Sequence, residues 1–125
     1  MTPDHRKNIR FFLLRGLARE TRHWGDFPQI LTAHGDSISV FPLEIPGAGK
    51  LNYLPSPIKI ADYIPPLRKQ YLPNFREGDT HILVGVSLGG MISASWVSSY
   101  VDDFQGVAMI NCSGSQSPLF SRLLP

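Results

Sequence analysis

Short apolar runs alternate with helical stretches along this chain. Ile9-Arg10-Phe11-Phe12-Leu13-Leu14 is an almost continuous apolar run closed by Gly16, the pattern of a strand buried on both faces. Trp24, Phe27, Leu31 and His34 then recur at spacings of three and four, which predicts a helix beginning around Asp26 and stopped by Gly35. Ile38 to Ile45 alternates as a second strand, with Pro42 marking its end or an irregularity. Pro46-Gly47-Ala48-Gly49 reads as a turn. Ser56 as N-cap and Pro57 at the first helical position open a second helix. Its apolar face is Ile60, Tyr63, Ile64, Leu67 and Tyr71, and Pro65-Pro66 must kink or split it.

Gly78-Asp79 punctuates again, and His81 to Gly85 is a third buried strand. A third helix is predicted from Leu88 to about Val101, packing through Ile92, Trp96, Val97, Tyr100 and Val101. Gly106 to Ile110 is a fourth strand, followed by the small, polar run Asn111 to Ser115. No element is evident from there to Pro125, and no internal repeat occurs. Alternating strands and helices with continuously apolar strands predict an α/β domain: a parallel sheet of about four strands with helices on both faces, joined by right-handed crossovers.

Composition narrows the picture. A chain of 125 residues fits one domain, spanning 1–125, with Gly and Pro at 11 each. That content lies below the roughly 25–30% of low-complexity chains. The formal charge of +2 is too small to argue for a nucleic-acid partner. Arg6, Lys7, Arg10, Arg15, Arg19 and Arg22 crowd the first fifth of the chain, but they flank an apolar run and read as a solvated strand end. The single cysteine, Cys112, excludes an intrachain disulfide and a multi-cysteine zinc site, and reads as a small buried thiol. No apolar run approaches the roughly 20 residues that span a bilayer. Arg15 interrupts the first apolar run before it could serve as a signal-peptide core. The expectation is a cytoplasmic protein with no membrane partner and no cofactor or metal.

The chemistry-bearing motif is Gly85-Val86-Ser87-Leu88-Gly89, G-x-S-x-G, extended by Gly90. Its glycines permit a sharp turn between the third strand and third helix, projecting the Ser87 hydroxyl beyond the sheet. The helix N-terminus beside it offers free N–H groups to a developing oxyanion. A plain turn serine is the bland alternative, and the strand before and helix after weigh against it. Phosphate binding fits poorly. Gly85–Gly90 lacks the lysine of a P-loop and the spacing of G-x-G-x-x-G, and no Ser or Thr follows Lys50 after Gly47-Ala48-Gly49.

With that motif in place the chain resembles the α/β-hydrolase family. Leu13-Leu14-Arg15-Gly16-Leu17 is similar to the family's oxyanion loop, with Arg15 where a histidine is common. Trp24 stands where the next helix usually carries an aromatic residue. Glu44-Ile45-Pro46-Gly47-Ala48-Gly49 is similar to the segment after the next strand, Gly85 to Gly90 to the nucleophile elbow, and Val107 to Gly114 to the strand and loop beyond it. The resemblance implies a serine hydrolase of esters, thioesters or related acyl compounds. Ser87 would be the nucleophile, the N–H of Leu88 one oxyanion donor, and Leu17 or a neighbour the other. Trp24, Phe27 and Tyr53 could line an apolar acyl pocket.

The family's triad places an acid and then a histidine after the serine. Here His5, His23, His34 and His81 all precede Ser87, and the acids after it are Asp102 and Asp103, at the far end of the elbow's helix. The resemblance therefore implies an N-terminal half of the fold, inactive by itself, whose acid and histidine lie elsewhere. His23 is the one resident candidate for a substitute base, and an exposed residue at a helix start is its better reading. In the family's strand order the fourth strand would be an apolar edge open to self-association. The alternative function is accordingly a non-catalytic module that pairs through that edge.

Overall fold

The computed structural model describes residues 8–15, 24–46 and 59–110. Four strands, β1 (Ile9–Leu14), β2 (Ile38–Leu43), β3 (Thr80–Val86) and β4 (Gly106–Ile110), form one sheet in the order β2-β1-β3-β4. All three pairings are parallel, with Leu13 opposite Pro42 and Val84, and Gly85 opposite Met109. Three α-helices cover the sheet: α1 (Phe27–Thr32), α2 (Ile64–Tyr71) and α3 (Leu88–Ser99).

The period of two along the strands divides the core between the faces. Phe12, Leu14, Leu43 and Leu83 pack with Ile64, Leu67 and Tyr71 of α2 and Ile92 and Trp96 of α3. On the other face Leu13 and Val84 pack with Trp24, Phe27 and Leu31, on and before α1. The helix between β1 and β2 thus lies on one face, while the helices before and after β3 lie on the other. Since β1→β2 runs one way along the sheet and β2→β3→β4 runs the other, all three crossovers share one hand, as parallel sheets require.

Several boundaries differ from the sequence pattern. Pro42 lies inside β2 instead of ending it, because β2 is an edge strand, where a missing N–H costs least. Pro65-Pro66 splits the second helix: Ile60–Tyr63 is a 3-10 turn, and the prolines occupy the first turn of α2, where N–H groups need no intrahelical partner. The Ser56-Pro57 start lies outside the described residues. Helix α3 stops at Ser99, so Tyr100 and Val101 leave the expected packing face and are exposed, while Ile92 and Trp96 are fully buried.

Of the basic cluster, Arg10 and Arg15 are not simply solvated, and Arg6, Lys7, Arg19 and Arg22 lie outside the described residues. Arg10 pairs with Asp79 at 2.8 Å, donates to the Asn74 carbonyl at 3.1 Å and lies over the Phe41 ring. Arg15 stacks on Trp24, its Cζ 5.2 Å from the ring centroid. Among the described residues β4 is the outermost strand on its side of the sheet, and Val107, Met109 and Ile110 are exposed on it. Among the described residues no helix is long and apolar enough to cross a membrane.

Candidate active site

Strand β3 delivers the chain to Ser87 at the C-terminal edge of the sheet. The Ser87 N–H donates to the Ile110 carbonyl at 3.2 Å, a continuation of the β3–β4 ladder, and its own carbonyl accepts from Gly90 and Met91 N–H at 2.8 and 3.3 Å. One residue thus ends the strand and starts the helix. To do both it adopts φ 60°, ψ −120°, and it is the one non-glycine residue with positive φ among those described. Such a conformation costs on the order of 1–3 kcal/mol and persists only where the surroundings impose it.

The surroundings are the flanking glycines. A Cβ on Gly85 would collide with the Gly89 carbonyl and the Ser93 hydroxyl, which itself donates to that carbonyl at 2.7 Å. A Cβ on Gly89 would run into the Leu14 carbonyl and stand 3.0 Å from the Arg15 carbonyl oxygen. Both glycines therefore let α3 start flush against β3 and β1. The Ser87 residue is exposed, and its hydroxyl makes no capping bond although serine is a favoured N-cap. Leu88, half-buried, is the first residue of α3; its N–H belongs to the turn that has no intrahelical acceptor.

Position adds to geometry. From the central pair β1 and β3 the chain departs in opposite directions, to β2 by α1 on one face and to β4 by α3 on the other. In open parallel sheets the crevice beyond the C-terminal ends of such a pair is where ligands bind. Ser87 and Arg15 stand on its two sides. A cleft lined by Asn8, Ile9, His34, Asp36 and Ile38 lies at the opposite, N-terminal edge.

The other candidate residues separate cleanly. His34 is exposed past the end of α1, in that N-terminal cleft, and not on the core side of the helix. His81 is 1% exposed, stacked on Phe75, with Nε2 accepting the Arg76 N–H at 3.1 Å and Nδ1 facing Gln105 Oε1 at 3.4 Å. It is a core residue. Trp24 and Phe27 stack on each other, 5.5 Å between centroids, above Leu13 and Val84. Leu17, His5, His23, Tyr53 and Cys112 lie outside the described residues.

Asp102 and Asp103, a pair in the sequence, have unrelated roles. Asp102 is exposed, whereas Asp103 is 7% exposed and accepts from Arg68 Nε and Nη2 at 2.7 and 2.9 Å and from Trp96 Nε1 at 2.8 Å. Tyr71 donates its hydroxyl to the Asp103 carbonyl. This cluster ties α2 to the segment after α3, at the end of α3 remote from Ser87. Burial pushes the Tyr71 phenol up from its ordinary value, with the Asp103 charge adding to the rise and Arg68 opposing it. The Arg68 guanidinium is raised by its hydrogen bond to Asp103. Nothing local in the sequence marks these partners, since Arg68 and Asp103 are 35 positions apart. Among the described residues no group of three or more His, Cys, Asp and Glu could hold a metal ion.

No protein-family model and no curated protein matches the chain. Solved structures do. The chain is similar to ClbQ from the colibactin NRPS/PKS pathway, at 19% identity and TM-score 0.70, over 94% of this chain and 54% of that one. It is similar to the RedJ thioesterase of the prodiginine biosynthetic pathway in Streptomyces coelicolor, at 11% identity and TM-score 0.67, over 94% and 48%. A Paleococcus ferrophilus monoacylglycerol lipase matches at 21% identity and TM-score 0.64, over 80% and 37%. These neighbours are α/β-hydrolases, and the chain has their fold over the part that it spans, which is about half the length of ClbQ.

Proposed function

We propose that this chain carries the nucleophile-bearing half of a serine hydrolase acting on esters, thioesters or related acyl compounds, at work in the cytoplasm. The observation that carries the reading is the Ser87 turn: an exposed, uncapping hydroxyl held at φ 60° by two glycines with no room for a side chain. A serine needed only for the turn would not call for that conformation, which glycine adopts freely. On this reading Ser87 Oγ attacks the substrate carbonyl carbon, and the carbonyl oxygen takes up negative charge. The Leu88 N–H and an N–H from Leu17 or its neighbour stabilise that charge. A histidine accepts the serine proton and returns it to the leaving group, and an acid orients that histidine. His81 is held in the core and His34 lies at the N-terminal edge, away from Ser87, and on this reading the base is supplied by the part of the fold that the chain does not span, with His23 as the resident alternative.

The test is a fluorophosphonate probe, whose phosphorus is attacked by an activated serine with loss of fluoride. We expect label on Ser87 alone, none in Ser87→Ala, at a rate about 10³-fold or more below that of an intact triad. Label spread over several serines, or unchanged in Ser87→Ala, would sink the reading. Label lost in His23→Ala would assign the base to His23.

The open apolar edge favours a second reading, a non-catalytic module that associates through β4, and complete absence of labelling would turn the balance toward it. Self-association in sedimentation velocity should then weaken when Met109→Lys places a charge on the exposed edge, because lysine there blocks strand pairing. An equally associated Met109→Lys variant would rule out β4 as the contact.

A further inference from the structure

Arg15 is the first residue past β1, on the other side of the crevice from Ser87. Its carbonyl lies against the first turn of α3, and its side chain turns to the face of Leu13 and Trp24. There the guanidinium stacks on the Trp24 indole, yet Arg15 Nε and Trp24 Nε1 are both buried and, among the described residues, neither has a hydrogen-bond acceptor. Trp24 as a residue is only 8% exposed. Native proteins leave few buried donors unmade, because each forfeits its hydration without return. Three comparable donors among the described residues follow that rule: the other tryptophan, Trp96, donates to Asp103, and Arg68 and Arg10 both hold carboxylates. The exception therefore sits at the candidate site and nowhere else among these donors.

We propose that Arg15 and Trp24 form a recognition site for an anionic oxygen group, a carboxylate or a phosphate, carried by the acyl compound that enters the Ser87 crevice. This rests on the hydrolase reading for the identity of the ligand as substrate. The chemistry matches the donors. A guanidinium presents N–H groups in a planar fork that fits two oxygens of a carboxylate or phosphate. Contact with the indole face holds the guanidinium in place in advance, and the half-buried setting strengthens the attraction over that of a solvated arginine. Trp24 Nε1 supplies a further donor beside it. With the anion held at the end of β1 and the scissile carbonyl at the end of β3, the substrate would lie across the two central strands.

Binding can be read without turnover, which separates this proposal from the hydrolase reading. The full 125-residue chain, labelled with nitrogen-15, would be titrated with monomethyl adipate, n-butyl phosphate and neutral dimethyl adipate. The indole N–H resonances are followed, that of Trp24 being assigned by its disappearance in Trp24→Phe. We expect the Trp24 resonance to shift saturably with an anionic probe, that of Trp96 to stay in place, and the anion to bind about tenfold more tightly than the diester. Preference for adipate over butyl phosphate would identify a carboxylate, and the reverse a phosphate. Arg15→Gln should abolish the preference, and Arg15→Lys, which keeps the charge without the fork and serves if the first variant fails to fold, should weaken it severalfold. Equal binding of anion and diester by the native chain, or a preference undiminished in both Arg15 variants, would overturn the proposal. That result would leave fluorophosphonate labelling of Ser87 untouched, and failed labelling would leave the anion preference untouched.

Discussion

Gly89→Ala should lower the stability of this protein by about 3 kcal/mol or more, whereas Gly90→Ala one residue on should be neutral or stabilising by up to about 1 kcal/mol. The two glycines share a helix turn and a fully buried setting, so helix propensity alone predicts the same gain at both. Space decides between them. At Gly89 a methyl group would drive into the carbonyl of Leu14, the last residue of β1, and crowd that of Arg15 just past it, backbone atoms that cannot rotate aside. Relief requires α3 to lift from β1, which opens the packing of Ile92 and Trp96 beneath it. At Gly90 the nearest atom is 3.6 Å away, ordinary contact. In thermal unfolding the pair should differ by about 10–20 °C at this chain length. Similar midpoints for both variants would mean that α3 does not start flush against β1, and the strained Ser87 turn would lose its cause.

The same contrast explains what the sequence discloses and what it withholds. The four strands are legible because each is a short apolar run bounded by turn residues, a pattern that holds for the inner strands β1 and β3 and for the outer strands β2 and β4 alike. The serine turn is legible because its requirement is local: glycine at two fixed distances from Ser87, a strand before and a helix after. The edge position of β4 follows from family strand order, and Met109 and Ile110 are exposed there as expected. Other features depend on residues that meet only after folding. Pro42 reads as a strand end until β2 is known to be an edge. Tyr100 and Val101 continue the apolar spacing of α3, but the chain has already left the helix, and Tyr100 instead faces Arg68, whose Cζ lies 4.1 Å from its ring centroid. The unmatched donors of Arg15 and Trp24 are invisible in a pattern that records polarity but not partners.

Asp103 is the clearest such case, and its removal is the second large effect. Asp103→Ala should cost about 3–5 kcal/mol, because Trp96 Nε1 loses its acceptor inside the core and Arg68 its carboxylate. Asp102→Ala, at an exposed neighbour, should stay within about 0.5 kcal/mol. Asp103→Asn keeps one acceptor for Trp96 but sets an amide against the guanidinium, and should fall between them. Alkali probes the cluster from the tyrosine side. Burial holds the Tyr71 phenol neutral above its ordinary pKa of 10.0, aided by the Asp103 charge and opposed by Arg68. The folded state therefore binds that proton more tightly than the unfolded chain does. Its contribution is complete below about pH 10 and is lost as pH rises beyond it. Urea unfolding between pH 9 and 11 should show stability falling with a slope that Tyr71→Phe flattens, while Tyr71→Phe at pH 7 costs the hydrogen bond to the Asp103 carbonyl, about 1 kcal/mol. An alkaline slope unchanged in Tyr71→Phe, or Asp103→Ala no worse than Asp102→Ala, would show that this cluster does not brace α2 against the end of α3.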